Sequence, residues 1–544
     1  MLTVAVALSL GLAGCAKKPA GVGDLAKDQT LRFNVGAEPE TLDPALQTGI
    51  PEFNIGSQMY EGLTRMDGNN KPYAGVAEKW DISSDNLKYT FHLRKNAKWS
   101  NGDPVTAKDF EWSWKRALDP RTGSQYAYQL YYIKGGKTLN EVDAKDEAKI
   151  KQLSDALGVK ATDDYTLEVT LEAPTPYFLG LTSFPTLYPV HRAEVEKFAD
   201  KWATKPEQFV TNGPFKMTKW VNNQVIEMEK SKTYWDAKNV PLKKLMIYLI
   251  DDQNTGLTMW ESGQTDLDNN VPVQEIDRLK KEGKLTTLPY LGTYYYSFNV
   301  TKKPFDDPRV RKAFAMAIDR KLITDQILKD GRLPAYAFVC PGIPDTEAGK
   351  DFRAVGGDYF KEDIEAAKKL LADAGYKDMK KFPSFEIIYN SSASHKAIAE
   401  AIQEMWSKNL GIPKEKVKLH VEEWKVYLET RDAHNFQVAR AGWIGDYVDP
   451  MTFMDMFVTN GGNNDTTYSN PKFDELINTA KMSADPKVRM QAMHDAEKIL
   501  IGDDMVVAPI YYYVSNWLMK PYVKGLAINT IGGVDFKNAW IEKH

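Results

Sequence analysis

Two spacings of apolar residues alternate along this chain. Apolar and polar positions alternate over 89–93 and over 167–171, and a period of two predicts half-buried strands. Over 51–63 apolar residues recur at every fourth position, which predicts a helix with one apolar face. Strand and helix patterns interleave from Thr211 onward. The sequence therefore predicts an α/β fold with a largely parallel sheet.

The same two periods predict the remaining elements. Thr106, with Asp109 three positions later, resembles a capping box and predicts the start of a helix. Asn101-Gly102 predicts a turn before that helix. Further helices are predicted over 255–262, 273–282, 308–318, 320–329, 362–374, 395–410, 471–482 and 486–500, and further strands over 30–35, 225–229, 245–250, 417–421 and 507–514, with one more strand starting at Tyr294.

The chain begins with an almost wholly apolar run over 1–12 that leads into Leu12-Ala13-Gly14-Cys15. This run is too short to cross a bilayer as a helix, and it has the length of a signal-peptide core. It is similar to the end of a bacterial lipoprotein signal, so we expect a signal peptide over 1–15 and a lipid on Cys15. The charged segment that opens such signals is missing, so we expect the natural start to lie upstream. Residues 16–29 are predicted to form a flexible tether.

Composition narrows the class of protein. With 544 residues the chain is longer than one hydrophobic core usually supports, so we expect several domains. Lys and Arg number 70 against 74 Asp and Glu without a long block of one sign, which gives no reason to expect nucleic acid as a partner. Aromatic residues make up 11%, which favours amphipathic contact surfaces. Besides Cys15 the chain has only Cys340, so we expect no intrachain disulfide in the mature protein.

The residue patterns of common catalytic and metal sites are missing or broken. No His-Glu-x-x-His and no cysteine pair occur, so we expect neither a metal nor a cofactor. Gly135-Gly136-Lys137-Thr138 is similar to the end of a phosphate-binding loop, but Tyr131 stands where the loop requires its first glycine. The segment 251–262 is similar to a calcium loop but ends in Ser262 instead of glutamate. With no Gly-x-Ser-x-Gly either, the sequence predicts a binding protein and no enzyme.

One stretch, 439–447, places a guanidinium, a large aromatic ring and a carboxylate on a segment that starts as a strand. Arg440 and Asp446 would be partly buried there, and a buried charge needs an opposite charge from the protein or from a ligand. If they do not satisfy each other, they could hold the two ends of a zwitterion such as a short peptide. The alternative is structural: Asp446 as a turn or cap residue and Arg440 as an ion-pair partner.

Seven segments occur together and in a fixed order along the chain. They are Leu42-Asp43-Pro44, Tyr60-Glu61-Gly62-Leu63, Phe91-His92-Leu93-Arg94, Trp99-Ser100-Asn101-Gly102, Val210-Thr211-Asn212-Gly213, 439–447 and Tyr511-Tyr512-Tyr513-Val514. Together they resemble the signature segments of the OppA-type oligopeptide-binding proteins, which are family 5 extracellular solute-binding proteins of ABC importers. The likeness runs from about residue 30 to the end of the chain.

The resemblance implies the three-lobed form of the type II periplasmic-binding-protein-like fold, known as cluster C. Domain I would comprise 30–60, 186–291 and 515–544, domain II 61–185, and domain III 292–514. Domains I and III would close like a hinged trap around a peptide. The implied protein is an extracytoplasmic peptide receptor, anchored to the bacterial cell envelope through Cys15 and monomeric. It would deliver peptides to the permease and ATPase subunits of an inner-membrane ABC transporter.

The resemblance also implies roles for individual residues. Asp446 matches the aspartate that pairs with the peptide's α-ammonium group. Arg440 and His395 match residues that bind the C-terminal carboxylate at different peptide lengths, and Arg431 matches an arginine that lines the side-chain pockets. The remaining members of the implied site are pocket walls or backbone contacts: Trp424, Trp443, Tyr126, Trp260, Tyr295, Tyr513, Gly442 and Ile444.

The sequence departs from the family pattern at several positions. Gly292 and Ile444 stand where some members carry a cysteine pair, so that disulfide is missing here. Thr48 replaces a glutamate near the family's cleft. Lipidation at Cys15 would also distinguish this chain from relatives that diffuse freely.

Other functions stay open at the level of the sequence. Within the same fold, the cargo could be murein tripeptide, a dipeptide, a nickel complex or haem, although a carboxylate at Asp446 favours a free α-amine over a chelate. Outside this class, a secreted peptide hydrolase and an extracytoplasmic chaperone are the alternatives.

Overall fold

The computed structural model describes residues 24–544. The predicted signal peptide, Cys15 and the first part of the predicted tether lie outside these residues. The described part of the tether is packed against the C-terminal end: Leu25 forms a β-bridge with Glu542. The buried Gln29 side chain donates to the carbonyl oxygens of Ala26 at 2.9 Å and Ile541 at 2.8 Å. The prediction of a flexible linker is therefore wrong for 24–29, because this segment finds backbone partners far along the chain.

The strands of the described chain occupy every predicted position, and some of them are not predicted by the sequence pattern. They are β1 (Thr30–Asn34), β2 (Thr64–Met66), β3 (Pro72–Ala74), β4 (Ala77–Ile82), β5 (Lys88–Leu93), β6 (Val159–Asp163), β7 (Thr166–Thr170), β8 (Phe215–Val221), β9 (Val225–Lys230), β10 (Lys244–Tyr248), β11 (Leu267–Asp268), β12 (Leu285–Phe298), β13 (Leu333–Pro334), β14 (Phe385–Asn390), β15 (Val417–Glu422), β16 (Val438–Ile444), β17 (Val507–Met519), β18 (Val523–Lys524), β19 (Ala527–Ile528), β20 (Val534–Asp535) and β21 (Trp540–Ile541).

The α-helices of the described chain occupy most of the predicted positions, and some of them are not predicted by the sequence pattern. They are α1 (Ile50–Met59), α2 (Ala107–Leu118), α3 (Gly136–Asn140), α4 (Glu147–Asp155), α5 (Phe178–Leu181), α6 (Arg192–Phe198), α7 (Gln253–Glu261), α8 (Ile276–Lys281), α9 (Pro308–Met316), α10 (Phe352–Gly356), α11 (Ile364–Asp373), α12 (Ala393–Leu410), α13 (Trp424–Asp432), α14 (Met451–Met454), α15 (Pro471–Met482) and α16 (Pro486–Glu497). Two π-helical segments, Leu322–Leu328 and Lys498–Asp503, stand where α-helix is predicted.

One local signal located a helix start, whereas some other predicted boundaries differ from the observed ones. The helix start predicted from Thr106 and Asp109 is confirmed, because the Asp109 carboxylate accepts from the Thr106 backbone N–H at 2.7 Å and from its hydroxyl at 3.0 Å, just before α2 begins at Ala107. The helix predicted over 51–63 ends earlier, at Met59, since Tyr60 is extended (φ −116°, ψ 160°). The strand predicted to start at Tyr294 instead begins at Leu285.

The large sheet is mixed, so the prediction of a largely parallel sheet is wrong. Its order is β15-β14-β16-β12-β17-β11-β1-β10-β9-β8, and β13 adds to β17. Parallel pairs join β14 to β15 and β16, and β1 to β10 and β11. The central strands β12, β16 and β17 pair antiparallel, as do β8, β9 and β10. Apolar periodicity reports which residues face inward, but it carries no information on strand direction.

The buried side chains form two large clusters that meet at the central strands. One cluster is built from β1, α1, β8–β10 and the C-terminal strands, which belong to predicted domain I. The other extends through predicted domains II and III. The antiparallel sheet β4-β5-β7-β6 lies in predicted domain II. Within the described chain, β12 and β17 are the long strands that run from predicted domain I into predicted domain III. Their pairing register shifts between Pro289 and Thr293. This irregularity lies at the predicted boundary between domains I and III.

No helix in the described part of the chain is both long and apolar enough to span a membrane.

Candidate functional site

A cleft runs between predicted domains I and III, and it consists of two adjoining cavities. Ile50 and Ile444 line both. Asp446, Phe53 and Glu61 line the first cavity. The lining of the second includes Trp424, His395, Arg440, Gly442, Tyr511, Tyr513 and Arg332. The structure therefore brings together the predicted residues around Arg440, and it places Asp446 at the other end.

The carboxylate of Asp446 is buried at one end of the cleft, with the residue 8% exposed. Gln129 donates to its Oδ2 at 2.8 Å, Thr452 at 3.2 Å, and the hydroxyl of Tyr126 to its Oδ1 at 3.5 Å. Gln129 and Tyr126 come from a 3-10 helix of predicted domain II, Gln125–Leu130. The site is thus completed by a segment far away in sequence.

Only neutral donors surround this carboxylate. Within residues 24–544, no Lys, Arg or His nitrogen lies within 4.0 Å of it. Burial, and then the nearby carboxylate of Asp455, raise the pKa of Asp446 well above its usual range. Asp455 itself is ion-paired with Lys481 at 3.2 Å. Asp446 therefore lacks a positive charge that a bound ammonium group would supply.

Arg440 is the opposite case at the other end of the cleft. Its Nη1 donates to the Asn390 side chain at 3.2 Å and its Nη2 to the Tyr513 hydroxyl at 3.0 Å, while its Nε is buried without a partner. The guanidinium lies over the ring of Tyr294, 4.8 Å from the centroid. No carboxylate of the described chain lies within 4.0 Å of it. Arg440 therefore lacks a negative charge.

Two further basic residues line the same cavity. His395 faces the Tyr294 hydroxyl at 3.4 Å, and burial together with the charges of Arg440 and Arg332 lowers its pKa well below the usual value. His395 is therefore neutral at pH 7. Arg332 pairs with Asp330 at 3.2 Å and lies over Tyr511, 4.9 Å from the ring centroid. Asp330 therefore compensates the Arg332 guanidinium, whereas the Arg440 guanidinium has no such carboxylate in the described chain.

The β16 strand positions the residues between these ends. Arg440, Gly442 and Ile444 alternate along it toward the cleft, and Gly292 stands opposite Ile444 in the β12–β16 register. The Cδ1 of Ile444 occupies the space that a side chain at Gly292 would need. The two positions at which some family members carry cysteines are therefore direct neighbours here and hold a glycine and an isoleucine.

Two predicted aromatic residues surround the Asp446 end. Trp443 stacks on Tyr126 with ring centroids 6.1 Å apart, and its Nε1 is buried without a hydrogen-bond partner. This packing joins predicted domains II and III beside the carboxylate.

Five predicted site residues line neither cavity: Tyr126 and Trp443, which lie beside Asp446, and the more distant Arg431, Tyr295 and Trp260. Arg431 forms an ion pair with Asp465, so its charge is already compensated. Tyr295 is 1% exposed and packs edge-on against Phe338. Trp260 belongs to a small cluster between α7 and α8, with the Lys520 ammonium 4.2 Å from its ring centroid.

Sequence reasoning missed Arg332 and Gln129. Arg332 follows a helix in a loop, where an arginine is normally solvated, and Gln129 lies among aromatic residues in a segment without a clear period. No local signal distinguishes either one.

Comparison with known proteins identifies the family. The family model for bacterial extracellular solute-binding proteins, family 5 (middle), matches residues 71–465. The chain belongs to this family. A family 5 relative, the periplasmic oligopeptide-binding protein OppA of Salmonella typhimurium, is 41% identical over 552 residues, covering 100% of this chain and 98% of that protein.

Solved structures of family 5 proteins have the same type II periplasmic-binding-protein-like fold. The crystal structure of Haemophilus influenzae OppA in complex with the peptide RPPGFSPFR is 36% identical and has a TM-score of 0.87, covering 96% of this chain and 100% of that one. The Escherichia coli murein tripeptide-binding protein MppA is 35% identical with a TM-score of 0.87, again covering 96% and 100%.

A second MppA structure, an unliganded open form, is informative about the lobes. It is 35% identical and covers 97% of this chain and 99% of that one, but its TM-score is only 0.62. The two MppA structures have the same identity to this chain, but their TM-scores are 0.87 and 0.62. The lobes of this chain are therefore arranged differently from those of the open form.

Proposed function

We propose that this protein captures short peptides outside the cytoplasm and delivers them to an ABC transporter. One observation carries the proposal: Asp446 and Arg440 are at least partly buried at the two ends of one cleft, and neither has an oppositely charged partner among residues 24–544. A peptide in zwitterionic form would supply both missing charges, its α-ammonium group at Asp446 and its carboxylate at Arg440.

The chemistry of the cleft suits a receptor of broad specificity. Affinity would come from the two termini and from the extended peptide backbone, which every peptide has, through pairing with strand-like protein segments. Side-chain pockets with ordered water can then accept different residues, because water rearranges its hydrogen bonds at little cost. We assign His395, Tyr513, Trp424, Gly442 and Ile444 to the walls of this cleft.

We further propose that domains I and III close around the peptide by bending β12 and β17 at their register shift. A peptide shifts this equilibrium only as far as it binds the closed form better than the open form. The partners would be the permease and ATPase subunits of an importer. A lipid on Cys15 would anchor a monomeric protein to the cell envelope, and no chemical step is assigned to it.

A receptor for murein tripeptide or dipeptides is the second candidate. The similarity to MppA favours it, since that protein is named for binding murein tripeptide and matches this chain as well as the OppA complex does. Both candidates use a free α-amine at Asp446. They differ in the ligand side chains that the second cavity must accept.

Calorimetric titration tests the proposal after any co-purified ligand has been removed. An unmodified tripeptide or tetrapeptide should bind tightly, and its N-acetylated twin should bind far more weakly, because acetylation removes the ammonium group. Murein tripeptide as a third ligand distinguishes the two receptors. Equal binding of free and acetylated peptide would remove Asp446 from the site. Two further measurements test the other classes of protein. Cleavage of the incubated peptide, detected by mass spectrometry, would indicate a hydrolase. Binding and retention of unfolded protein chains would indicate a chaperone.

A further inference from the structure

Two glutamates are sealed at the seam between predicted domains I and III, next to the cleft. Glu52, in the first turn of α1, is 0% exposed, and its Oε1 accepts a 2.8 Å hydrogen bond from the backbone N–H of the half-buried Glu40. Both belong to predicted domain I. They are covered by α13 of predicted domain III. The ring of Trp424, in this helix, packs so closely on the start of α1 that a Cβ atom added to Gly49 would lie 3.1 Å from its Cζ2. The seam therefore excludes water from the Glu52 carboxyl group.

The charged groups that face this pair are mainly negative. Across the seam, α13 presents Asp432, Lys425 and Glu429 to Glu40, while Glu38 faces Glu52 from the same side. Of these, only Lys425 is positive. Within the described residues, no cationic nitrogen lies within 4.0 Å of either carboxyl group.

Across the seam, the Nε1 of Trp424 lies near the Glu52 carboxyl group and acts to lower its pKa. Neither this Nε1 nor the Oε2 of Glu52 has a partner in full hydrogen-bond geometry, and both atoms are buried. Burial raises the pKa of Glu52 to about 7, and the backbone hydrogen bonds to its carboxyl group offset this rise only in part. Burial, and then the charges of Glu52 and Asp432, raise that of Glu40 to about 7 as well. In this arrangement each carboxyl group holds a proton more strongly than it does in water.

The seam exists only while the lobes are together. If α13 moves away from α1, as a hinge at β12 and β17 requires, Glu40 and Glu52 regain water and distance from Asp432. Their affinity for protons then returns toward that of an ordinary glutamate. The related MppA has an open form, whose lobe arrangement differs from this one.

We propose that closure of this cleft takes up protons at Glu40 and Glu52, so that peptide capture is favoured in acidic surroundings and weakened in alkaline ones. The inference rests on the proposed function, since it concerns the closing step that a peptide drives. Its sign follows from linkage: groups whose pKa is raised only in the closed state favour that state below about pH 7, and the advantage is lost as the pH rises through this value.

Calorimetry measures the uptake directly. A tripeptide is titrated into the full protein at pH 7 in two buffers that differ in ionisation enthalpy, which gives the number of protons taken up per peptide bound. The same titration is repeated at pH 5.5 and pH 8. Each measurement is made on the wild type, on Glu40→Gln with Glu52→Gln, and on Glu365→Gln. The last is a surface control for the same type of substitution, because the Glu365 side chain is 84% exposed.

We expect the ratio of Kd at pH 8 to Kd at pH 5.5 to be about tenfold larger in the wild type and in Glu365→Gln than in the double variant. The number of protons taken up at pH 7 should fall in the double variant as well. Asp446, His395 and the peptide titrate in all three proteins, so the difference isolates the two glutamates. Equal proton uptake in wild type and double variant would overturn the inference.

Two further outcomes are distinguishable. If the double variant does not fold, Glu40→Gln alone replaces it, because Glu40 is only half-buried, and it should remove part of the pH dependence; no change would again overturn the inference. If the wild type binds no peptide at any pH, the proposed function fails together with the inference. If it binds with unchanged proton uptake, only the inference fails.

Discussion

The hydroxyl of Tyr513 occupies the space that a side chain at position 442 would need. An ideal Cβ on Gly442 would lie 2.5 Å from the Tyr513 hydroxyl oxygen and 3.3 Å from its ring. Because the same hydroxyl accepts the 3.0 Å hydrogen bond from Arg440, a glycine at 442 allows Tyr513 of β17 to reach the guanidinium on β16, across the intervening strand β12.

Gly442→Ala should therefore displace Tyr513 and weaken peptide binding by at least about tenfold, which corresponds to about 1.4 kcal/mol. Calorimetry with a tripeptide measures this change. Combining it with Tyr513→Phe removes the clashing hydroxyl, so the two substitutions together should cost less than the sum of their separate effects. Strict additivity would contradict the steric explanation.

Asp446→Asn should weaken the binding of a free peptide by about 2–5 kcal/mol, because it leaves a buried ammonium group without its counter-charge. The N-acetylated twin should bind the wild type and the variant almost equally. A dissociation constant of the free peptide that stays the same in the variant would exclude Asp446 from contact with the ammonium group.

The same residue should make the unliganded protein sensitive to pH. Burial raises the pKa of Asp446 well above its usual range, so the folded state binds more protons than the unfolded chain. Stability is therefore highest below the ordinary pKa of aspartate and falls as the pH rises toward the raised value. Thermal melting of stripped protein between pH 4 and pH 8 should show this decrease, and Asp446→Asn should flatten it. Parallel curves for the two proteins would contradict this account.

Arg440 and Arg332 should affect peptides of different length. Arg440→Ala should change which length binds best within a series of two to five residues, because it removes one of the groups available to the C-terminal carboxylate. Arg332→Met keeps an apolar body of similar length over Tyr511 but removes the second cation of the cavity. We expect this substitution to weaken the binding only of those peptides that are long enough for their C-terminal carboxylate to lie beyond Arg440. A uniform loss at every length in both variants would indicate a general structural effect.

Arg320 should be a stability determinant independent of binding. Its side chain is 0% exposed, and it donates to the carbonyl oxygens of Ala315, Ile318, Ala335 and Pro509. Burial lowers its pKa to about 10. Arg320→Met should cost about 3 kcal/mol or more of unfolding free energy, because these carbonyl oxygens lose their donor.

Urea unfolding followed by tryptophan fluorescence measures this loss. Arg309→Met is the matched control, because it makes the same substitution at an exposed site. The Arg309 side chain is 49% exposed and pairs with Asp307 at the surface. It should cost less than about 1 kcal/mol. Equal shifts of the two unfolding midpoints would show that burial of Arg320 is not the cause.

The sequence by itself determined the local structure and the family. Periods of two and four predicted several strands and helices, and the Thr106–Asp109 pair gave the start of α2, because these signals depend on residues that are neighbours along the chain. The seven family segments predicted the α/β binding-protein fold, which the comparisons bear out. They also directed attention to Asp446 and Arg440.

Only the tertiary structure decided which charges are compensated. Asp446 receives its hydrogen bond from Gln129, 317 positions away, and the absence of a cation around it depends on every segment that packs there. In the same way, Asp465 neutralises Arg431, a small core cluster encloses Trp260, and Arg332 enters the cleft from a loop. Burial and pairing are sums over residues that are distant in sequence, so a local pattern that predicts a strand or a cap cannot predict a site's unpaired charge.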